Sequence, residues 1–152
     1  METKETIDQG APVRQFSVML QNRAGALAAL LKLLRASSIE VIGLSVQDSR
    51  DATMARIVVS DPDTTERIFM EKGIPYADCE VLVVAMRECG PALLQCLDVL
   101  MVAETNVDFA YALLPGPKGL SMLAIHVEDY DFGVSVLHQS GFKLMYQEDI
   151  SR

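Results

Sequence analysis

The stretch LQNRAGALAALLKLLRAS, residues 20–37, decides the fold of this 152-residue chain. An alternating strand, VRQFSVML, ends at Leu20, and a helix is predicted over Ala24–Ala36. The helix carries Leu27, Leu30, Leu31 and Leu34 at the spacing of one buried face. The turn between strand and helix holds Asn22 and Gly25 but no pair of acid, base or nucleophile. This corner therefore indicates packing or binding rather than catalysis.

The segments that follow complete a β-α-β-β-α-β unit. Two strands are predicted over IEVIGLSVQ (39–47) and MARIVVS (54–60), with a polar turn between them. Asp61 and Pro62 begin a second helix, because Asp is a good cap and Pro is tolerated in the first turn. Gly73 ends that helix, and a short extended piece, PYADCE (75–80), follows.

The same unit occurs a second time. A shift of about 66 residues places Val18 on Val84 and Leu34 on Leu100, and after the hairpin a shift of about 68 places Gly73 on Gly141. The chain is therefore predicted to be α+β, with two ferredoxin-like domains, each a four-stranded antiparallel sheet with two helices on one face. We assign residues 1–12 to a flexible tail, 13–79 to the first unit and 80–152 to the second unit.

Two features of the predicted strands concern the sheets. The apolar phase of strand two differs between the units, and a bulge near Gly43 explains this. In VLVVAM (81–86) both the odd-numbered and the even-numbered residues are apolar, which indicates that both faces of this strand are buried. Since the helices cover one face of each sheet, the other faces must pack on each other or on a second chain. From this we predict a homodimer.

Composition excludes several classes of partner. The formal net charge is −8 and the basic residues are scattered, which argues against nucleic acid and against an anionic membrane surface. No apolar run approaches the roughly 18 residues of a membrane-spanning helix. Cys79, Cys89 and Cys96 lack metal-ligand spacing, so we expect reduced thiols in the cytoplasm, no metal site and no cofactor.

The corner at residues 20–27 suits a small anionic group. A helix N-terminus presents unpaired N–H groups and the positive end of the helix dipole, which favour a carboxylate or phosphate. Asn22 can cap the helix or hold a ligand by its amide, and Gly25 lets another group approach the backbone. The plainer interpretation is that Asn22 only caps and Gly25 only allows the helix to pack on the sheet.

The stretch FSVMLQNRAGALAALLKLLRASSIEVIGLSV (16–46) resembles the first half of an ACT domain. The resemblance rests on the strand order, on the N-x-x-G loop from Asn22 to Gly25, and on the Ala26-Leu27 pair that follows. The second unit resembles the same domain, and the joint GIPYADCEVLVVAM (73–86) is similar to the short joint of tandem ACT proteins. The chain from about residue 13 to 149 thus resembles a tandem ACT protein.

This resemblance implies a regulatory module that binds an amino acid at a domain interface. The ligand would lie between the loop after strand one and the start of strand two of a neighbouring domain. Carried over by position, the ligand-binding residues are Leu20, Gln21, Asn22, Arg23, Ala24, Gly25, Ala26, Leu27, Glu40 and Val41 in the first unit, and Glu88, Cys89, Gly90, Asn106 and Val107 in the second. The second loop departs from the family pattern. Glu88 replaces Asn22, and an acid there disfavours a carboxylate although it can take an ammonium group.

We therefore expect a non-enzymatic regulator with an amino acid as its ligand. The alternative is an interaction or oligomerisation module, or a small regulatory subunit of a metabolic enzyme, that has no ligand of its own. A third class, an enzyme of the acylphosphatase kind, needs an Arg that binds the anion in a loop, together with an Asn on a strand. Arg23 and Asn106 are available, but nothing in the sequence places them together.

Overall fold

The computed structural model describes residues 10–21, 25–48, 52–114 and 120–151. The elements are β1 (Val13–Leu20), α1 (Ala26–Ala36), β2 (Val41–Asp48), β3 (Thr53–Val59), α2 (Pro62–Lys72), β4 (Tyr76–Met86), α3 (Cys89–Val102), β5 (Val107–Ala112), β6 (Ser121–Val127), α4 (Tyr130–Gln139), β7 (Lys143–Met145) and α5 (Gln147–Ile150). This order confirms the predicted unit and its repetition.

The strand β4 belongs to both units. Its first part pairs antiparallel with β1, from Val18 opposite Tyr76 to Val13 opposite Val81. Its second part pairs with β6 and β7, so the strand order is β2-β3-β1-β4-β6-β5 with β7 beside β4. The expected boundary between residues 79 and 80 therefore falls inside one continuous strand, and the short joint predicted from sequence has no loop.

Each unit has its own core between its helices and one face of its sheet. In the first unit Phe16, Ile57 and Phe69 are fully buried, and the rings of Phe16 and Phe69 meet edge to face at 5.7 Å. In the second unit Leu100, Ile125 and Leu137 occupy the corresponding core. Of the four leucines predicted to form the buried face of α1, Leu30 and Leu34 are buried, and Leu27 and Leu31 are only half-buried. In α3 the equivalent pair, Cys96 and Leu100, is buried, whereas Leu93 and Leu97 are exposed, so the core-facing stripe is narrower than predicted.

The helix-free faces of the two sheets pack against each other within one chain. Their shared core contains Val13, Val58, Val81, Val83, Leu113, Met122, Ala124, Met145 and Ile150. The Tyr111 hydroxyl donates to Gln15 Oε1 at 2.7 Å, and the Arg56 guanidinium lies 4.0 Å from the centre of the Phe109 ring. We expected these faces to pack either on each other or on a second chain, and in the structure they pack on each other. The faces therefore need no second chain, and the homodimer loses the argument from which it was predicted.

Local sequence signals match the backbone. The Asp61 carboxylate accepts from the Thr64 N–H at 3.1 Å, Pro62 begins α2, and Gly73 ends it with φ of 65°. The pairing of β2 with β3 shifts between Val41 and Gly43, which confirms the bulge. The same irregularity occurs at the equivalent position of β5, between Val107 and Phe109. Because both units share the bulge, it does not explain the difference in their apolar phase, and that part of the prediction is wrong.

The short helix α5 was not predicted from the sequence. Its buried residue Gln147 donates from Nε2 to the Val59 carbonyl at 3.1 Å, and its Oε1 accepts from the Arg14 N–H at 3.2 Å. The end of the second unit is therefore fastened to strands of the first. None of the described helices combines the length and apolarity needed to cross a bilayer.

Candidate functional site

The corner between β1 and α1 is built around a left-handed glycine. Gly25 has φ of 85°, and its carbonyl accepts the first helical hydrogen bond from the Ala29 N–H at 2.9 Å. The helix thus begins at Ala26, two residues later than predicted, because Gly25 turns the chain rather than joining the helix. No described atom lies within 4 Å of the place where a Cβ at Gly25 would stand, so the corner is open on that side.

A cavity of about 540 Å³ lies beside this corner. Its described lining comes from three segments: Val18, Met19, Leu20 and Gln21 at the end of β1; Gly25, Ala26, Ala29, Leu30 and Leu33 on α1; and Gly73, Ile74 and Pro75 before β4. This volume is within the usual range of small-molecule pockets, about 300–1,000 Å³. The lining is mostly apolar, and no charged side chain is among these twelve residues.

The predicted loop residues reach this cavity only in part. Leu20, Gln21, Gly25 and Ala26 line it, whereas Leu27 is half-buried on another side of α1. Asn22, Arg23 and Ala24 lie outside the described residues, so their role stays a prediction.

The predicted strand-two residues lie elsewhere. Glu40 and Val41 line a separate depression of about 610 Å³ at the far end of α1, together with Arg35 and Ser38. The eleven residues of α1 separate the two places by about 16 Å, at 1.5 Å per residue. Neither these two predicted residues nor Asn106 and Val107, the predicted strand-two residues of the neighbouring unit, are among the described residues that line the cavity at the first corner.

The second unit has a different corner. Only Arg87 and Glu88 lie between β4 and α3, and Glu88 takes the N-cap position without a capping hydrogen bond from its side chain. Cys89 begins the helix, and Gly90 is exposed in its first turn. Asn106 and Val107 line a depression of about 360 Å³ at the other end of α3. The predicted residues of this unit are thus also divided between the two ends of a helix.

Sequence reasoning missed most of the cavity wall. Ala29 and Leu33 lie away from the main apolar stripe of the helix and are not among the residues predicted to bind a ligand. In the structure they line the cavity. The turn Gly73–Pro75 gave no signal, because its approach to α1 depends on how α2 packs.

Two further side chains, His126 and Cys96, carry groups capable of acid–base or thiol chemistry. His126 Nδ1 lies 2.8 Å from Asp108 Oδ2, and its ring stacks on Phe109 with centres 4.9 Å apart. Burial raises the pKa of the Cys96 thiol to about 11, so this thiol stays protonated near neutral pH. The described residues hold no group of three His, Cys, Asp or Glu placed to share a metal ion.

Comparisons with known proteins agree with this architecture. A family model described as an ACT domain pair matches residues 11–151. No curated protein matches the chain in sequence. The crystal structure of protein BT0572 from Bacteroides thetaiotaomicron is similar at 20% identity with a TM-score of 0.84, covering 93% of this chain and 96% of that one.

A second similar structure is that of the regulatory subunit of an enzyme. The regulatory subunit of aspartate kinase from Thermus thermophilus, in a ligand-free form, is similar at 10% identity with a TM-score of 0.62. The match covers 87% of this chain and 94% of that one. At such identities the likeness shows the shared fold.

Proposed function

Because the chain belongs to the ACT domain family, as a pair of ACT domains, we propose that it is a non-catalytic regulatory protein that binds an amino acid beside the corner of β1 and α1. One observation carries the proposal: an open cavity of about 540 Å³ adjoins the start of α1 in the first unit. A site that binds without turnover needs shape and hydrogen-bonding groups but no nucleophile or general base.

The corner offers groups for both ends of an amino acid. The ligand carboxylate would accept from the free N–H groups at the start of α1, where the helix dipole also favours negative charge. The ammonium group would donate to backbone carbonyls at the end of β1, or to an acid such as Glu40 presented by a neighbouring copy. These roles require a ligand that spans the strand and the helix.

The cavity also touches the element that joins the two units. Ile74 and Pro75 line it directly before β4, the strand that belongs to both sheets. A ligand held there would make different contacts if the turn moved. Only such a difference in binding free energy between two conformations can shift the relative arrangement of the domains. Regulation of a metabolic enzyme fits this design, and the similar chain from Thermus thermophilus is a regulatory subunit of aspartate kinase.

A second candidate function is an interaction module that needs no ligand. It is favoured by α3, whose outer face exposes Leu94 (63% exposed), Met101 (66%) and Val102 (79%). A run of exposed apolar residues on one helix is typical of a protein contact. A second copy of the chain is the expected partner, which keeps the homodimer as a proposal on a different surface. The free thiols of Cys79 and Cys96 suit the reducing cytoplasm that we propose for the protein.

Thermal unfolding in the presence of each common amino acid tests the first candidate. A ligand that binds only the folded protein raises Tm in a concentration-dependent manner. We expect one group of amino acids to raise Tm of the parent and to lose that effect in Asn22→Ala and Gly25→Val. Gly141→Val is the matched control, because Gly141 also has a left-handed backbone (φ of 83°) and an open Cβ position but does not line the cavity.

The outcome separates the two candidates. If no amino acid raises Tm of the parent at millimolar concentration, the ligand-binding function is wrong. Sedimentation of the parent and of Leu94→Lys then tests the interaction module. A dimer that this substitution dissociates supports the second candidate, and a monomeric parent at high micromolar concentration contradicts self-association.

A further inference from the structure

The chemistry of the cavity wall limits the side chain that a ligand can carry. Beyond the corner, the wall is formed by Leu30 and Leu33 on one side and by Ile74 and Pro75 on the other. Gln21 is the one polar side chain among its described lining residues, and none of these is charged. A charged ligand side chain held against these walls would find no charged partner among the described lining residues, whereas an apolar side chain would bury area against Leu30, Leu33 and Ile74.

Main-chain groups supply the polar part of the site. The pairing of β1 with β4 ends at Val18 opposite Tyr76, whereas β1 continues to Leu20 and pairs there with β3 alone. Along Met19 and Leu20 the edge that faces the cavity has no described partner strand. The polar end of a ligand therefore has backbone groups on β1 and at the start of α1, while its other end faces apolar side chains.

On this basis we propose that the ligand is an amino acid with an uncharged, branched apolar side chain, of the leucine, isoleucine and valine class. The inference rests on the function proposed above and adds the class of ligand. Its α-carboxylate and α-ammonium groups lie at the backbone of β1 and α1. Its side chain packs among Leu30, Leu33 and Ile74, where burial of its methyl and methylene groups favours binding.

Pairs of amino acids with the same shape give a sharp test. Leucine is compared with asparagine, and valine with threonine, by titration calorimetry on the full chain. The two members of each pair differ little in shape, so the comparison isolates polarity. We expect each polar member to bind at least about tenfold more weakly, because an apolar pocket discriminates against an added polar group by roughly that factor or more. Lysine and aspartate are expected to show no binding.

Two variants of α1 show whether the ligand occupies this cavity. Ala29 lines it, and Ala28 is exposed on the same helix but is not among its lining residues. Ala29→Leu fills the space and is expected to abolish leucine binding. Ala28→Leu adds the same side chain beside it and is expected to retain the parent affinity. Both substitutions keep a good helix former, so both proteins should fold.

Each outcome decides a different point. If asparagine, threonine or a charged amino acid binds as tightly as the apolar ones and Ala29→Leu abolishes that binding, the proposed function stands and the ligand class is wrong. If leucine binds equally to the parent and to Ala29→Leu, the site is wrong. If no amino acid binds the parent, both the proposed function and the ligand class are overturned.

Discussion

The two strand-to-helix corners of this molecule have diverged although their units share one fold. In the first unit five residues separate Leu20 from Ala26, and a left-handed Gly25 leads into the helix. In the second unit α3 begins at Cys89, two residues after Arg87, so the helix occupies positions that belong to the loop in the first unit. A duplicated scaffold has thus kept an open corner in one copy and shortened it in the other. The ligand site that we propose therefore lies in this connection rather than in the part of the fold that the units share.

The helices α1 and α3, which follow these corners, also differ in the residues that they expose. Arg35 is exposed near the end of α1, whereas its counterpart in α3 is the exposed Met101, and the exposed Leu94 stands at the position of Ala28. The first unit therefore has the features of a ligand site, and the second has those of a contact surface. Despite these differences, we expect the two units to unfold together.

The largest expected effect comes from truncating one leucine in either core. Leu34 and Leu100 are equivalent and fully buried, so Leu34→Ala and Leu100→Ala should each lower the free energy of unfolding by about 2–5 kcal/mol. Because β4 and the core between the sheets join the units, each variant should still unfold in one transition. Urea denaturation followed by circular dichroism measures both quantities.

A leucine on the surface provides the control. Leu114→Ala removes the same atoms from a side chain that is 59% exposed and lies outside the proposed contact face of α3, so its effect should stay within about 0.5 kcal/mol. Two separate unfolding transitions in Leu34→Ala or Leu100→Ala would show that the units are independent and would contradict the shared core.

A smaller effect is expected where the second helices of the units differ. Gly133 in α4 corresponds to Thr65 in α2, and both are buried. A Cβ at Gly133 would lie 2.8 Å from Leu82 Cδ1 and 3.0 Å from Val127 Cγ2, so α4 needs glycine for its close approach to the sheet. Gly133→Thr makes this unit like the first and should cost about 1–3 kcal/mol in urea denaturation.

The comparison for this variant is Gly90→Thr. Gly90 also lies in a helix, but a Cβ there meets nothing within 4 Å. Gly90→Thr should therefore leave the free energy of unfolding nearly unchanged. Equal losses in the two variants would mean that the close packing of α4 is not the cause.

The smallest effect concerns the two aspartate caps. Asp61 accepts from both the Thr64 hydroxyl at 2.6 Å and the Thr64 N–H at 3.1 Å, whereas Asp129 accepts from the Phe132 N–H at 3.1 Å. Asp61→Ala and Asp129→Ala should each cost about 1 kcal/mol. The hydroxyl and backbone hydrogen bonds from Thr64 hold the pKa of Asp61 below its usual value.

The lowered pKa fixes the sign of the pH dependence. The contribution of Asp61 to stability is complete above the unfolded value near pH 3.9 and is lost as pH falls through the lower folded pKa. An NMR titration of the Asp61 carboxyl in the parent and in Thr64→Ala checks this. The pKa should rise in Thr64→Ala, and an unchanged value would contradict the role of the hydroxyl.

Much of the fold follows from local patterns in the sequence. The alternation of VRQFSVML, the leucine spacing of α1, and the caps at Asp61 and Gly73 all predict elements that the structure contains. The packing of the two sheets on each other was not decided, because apolar residues on both faces of β4 indicate burial without naming the partner. The helix α5 was missed since its four residues depend on distant contacts of Gln147.

Only the part of the site formed by residues that are neighbours in sequence could be predicted. The corner at Leu20–Gly25 follows from a strand that ends beside a helix, and part of it lines the cavity. The opposite wall, Ile74 and Pro75, lies far away in sequence and reaches α1 through the packing of α2. Local patterns carry no information on such contacts.

The most direct test of the account is an NMR titration of the methyl-labelled chain with leucine. The methyl signals of Leu33 and Ile74, on opposite walls of the cavity, should shift with the same saturation curve. Val99, the counterpart of Leu33 in α3, should respond little. Shifts at Val99 that equal or exceed those at Leu33, or no saturable shift at millimolar leucine, would contradict an apolar amino-acid site in the first unit.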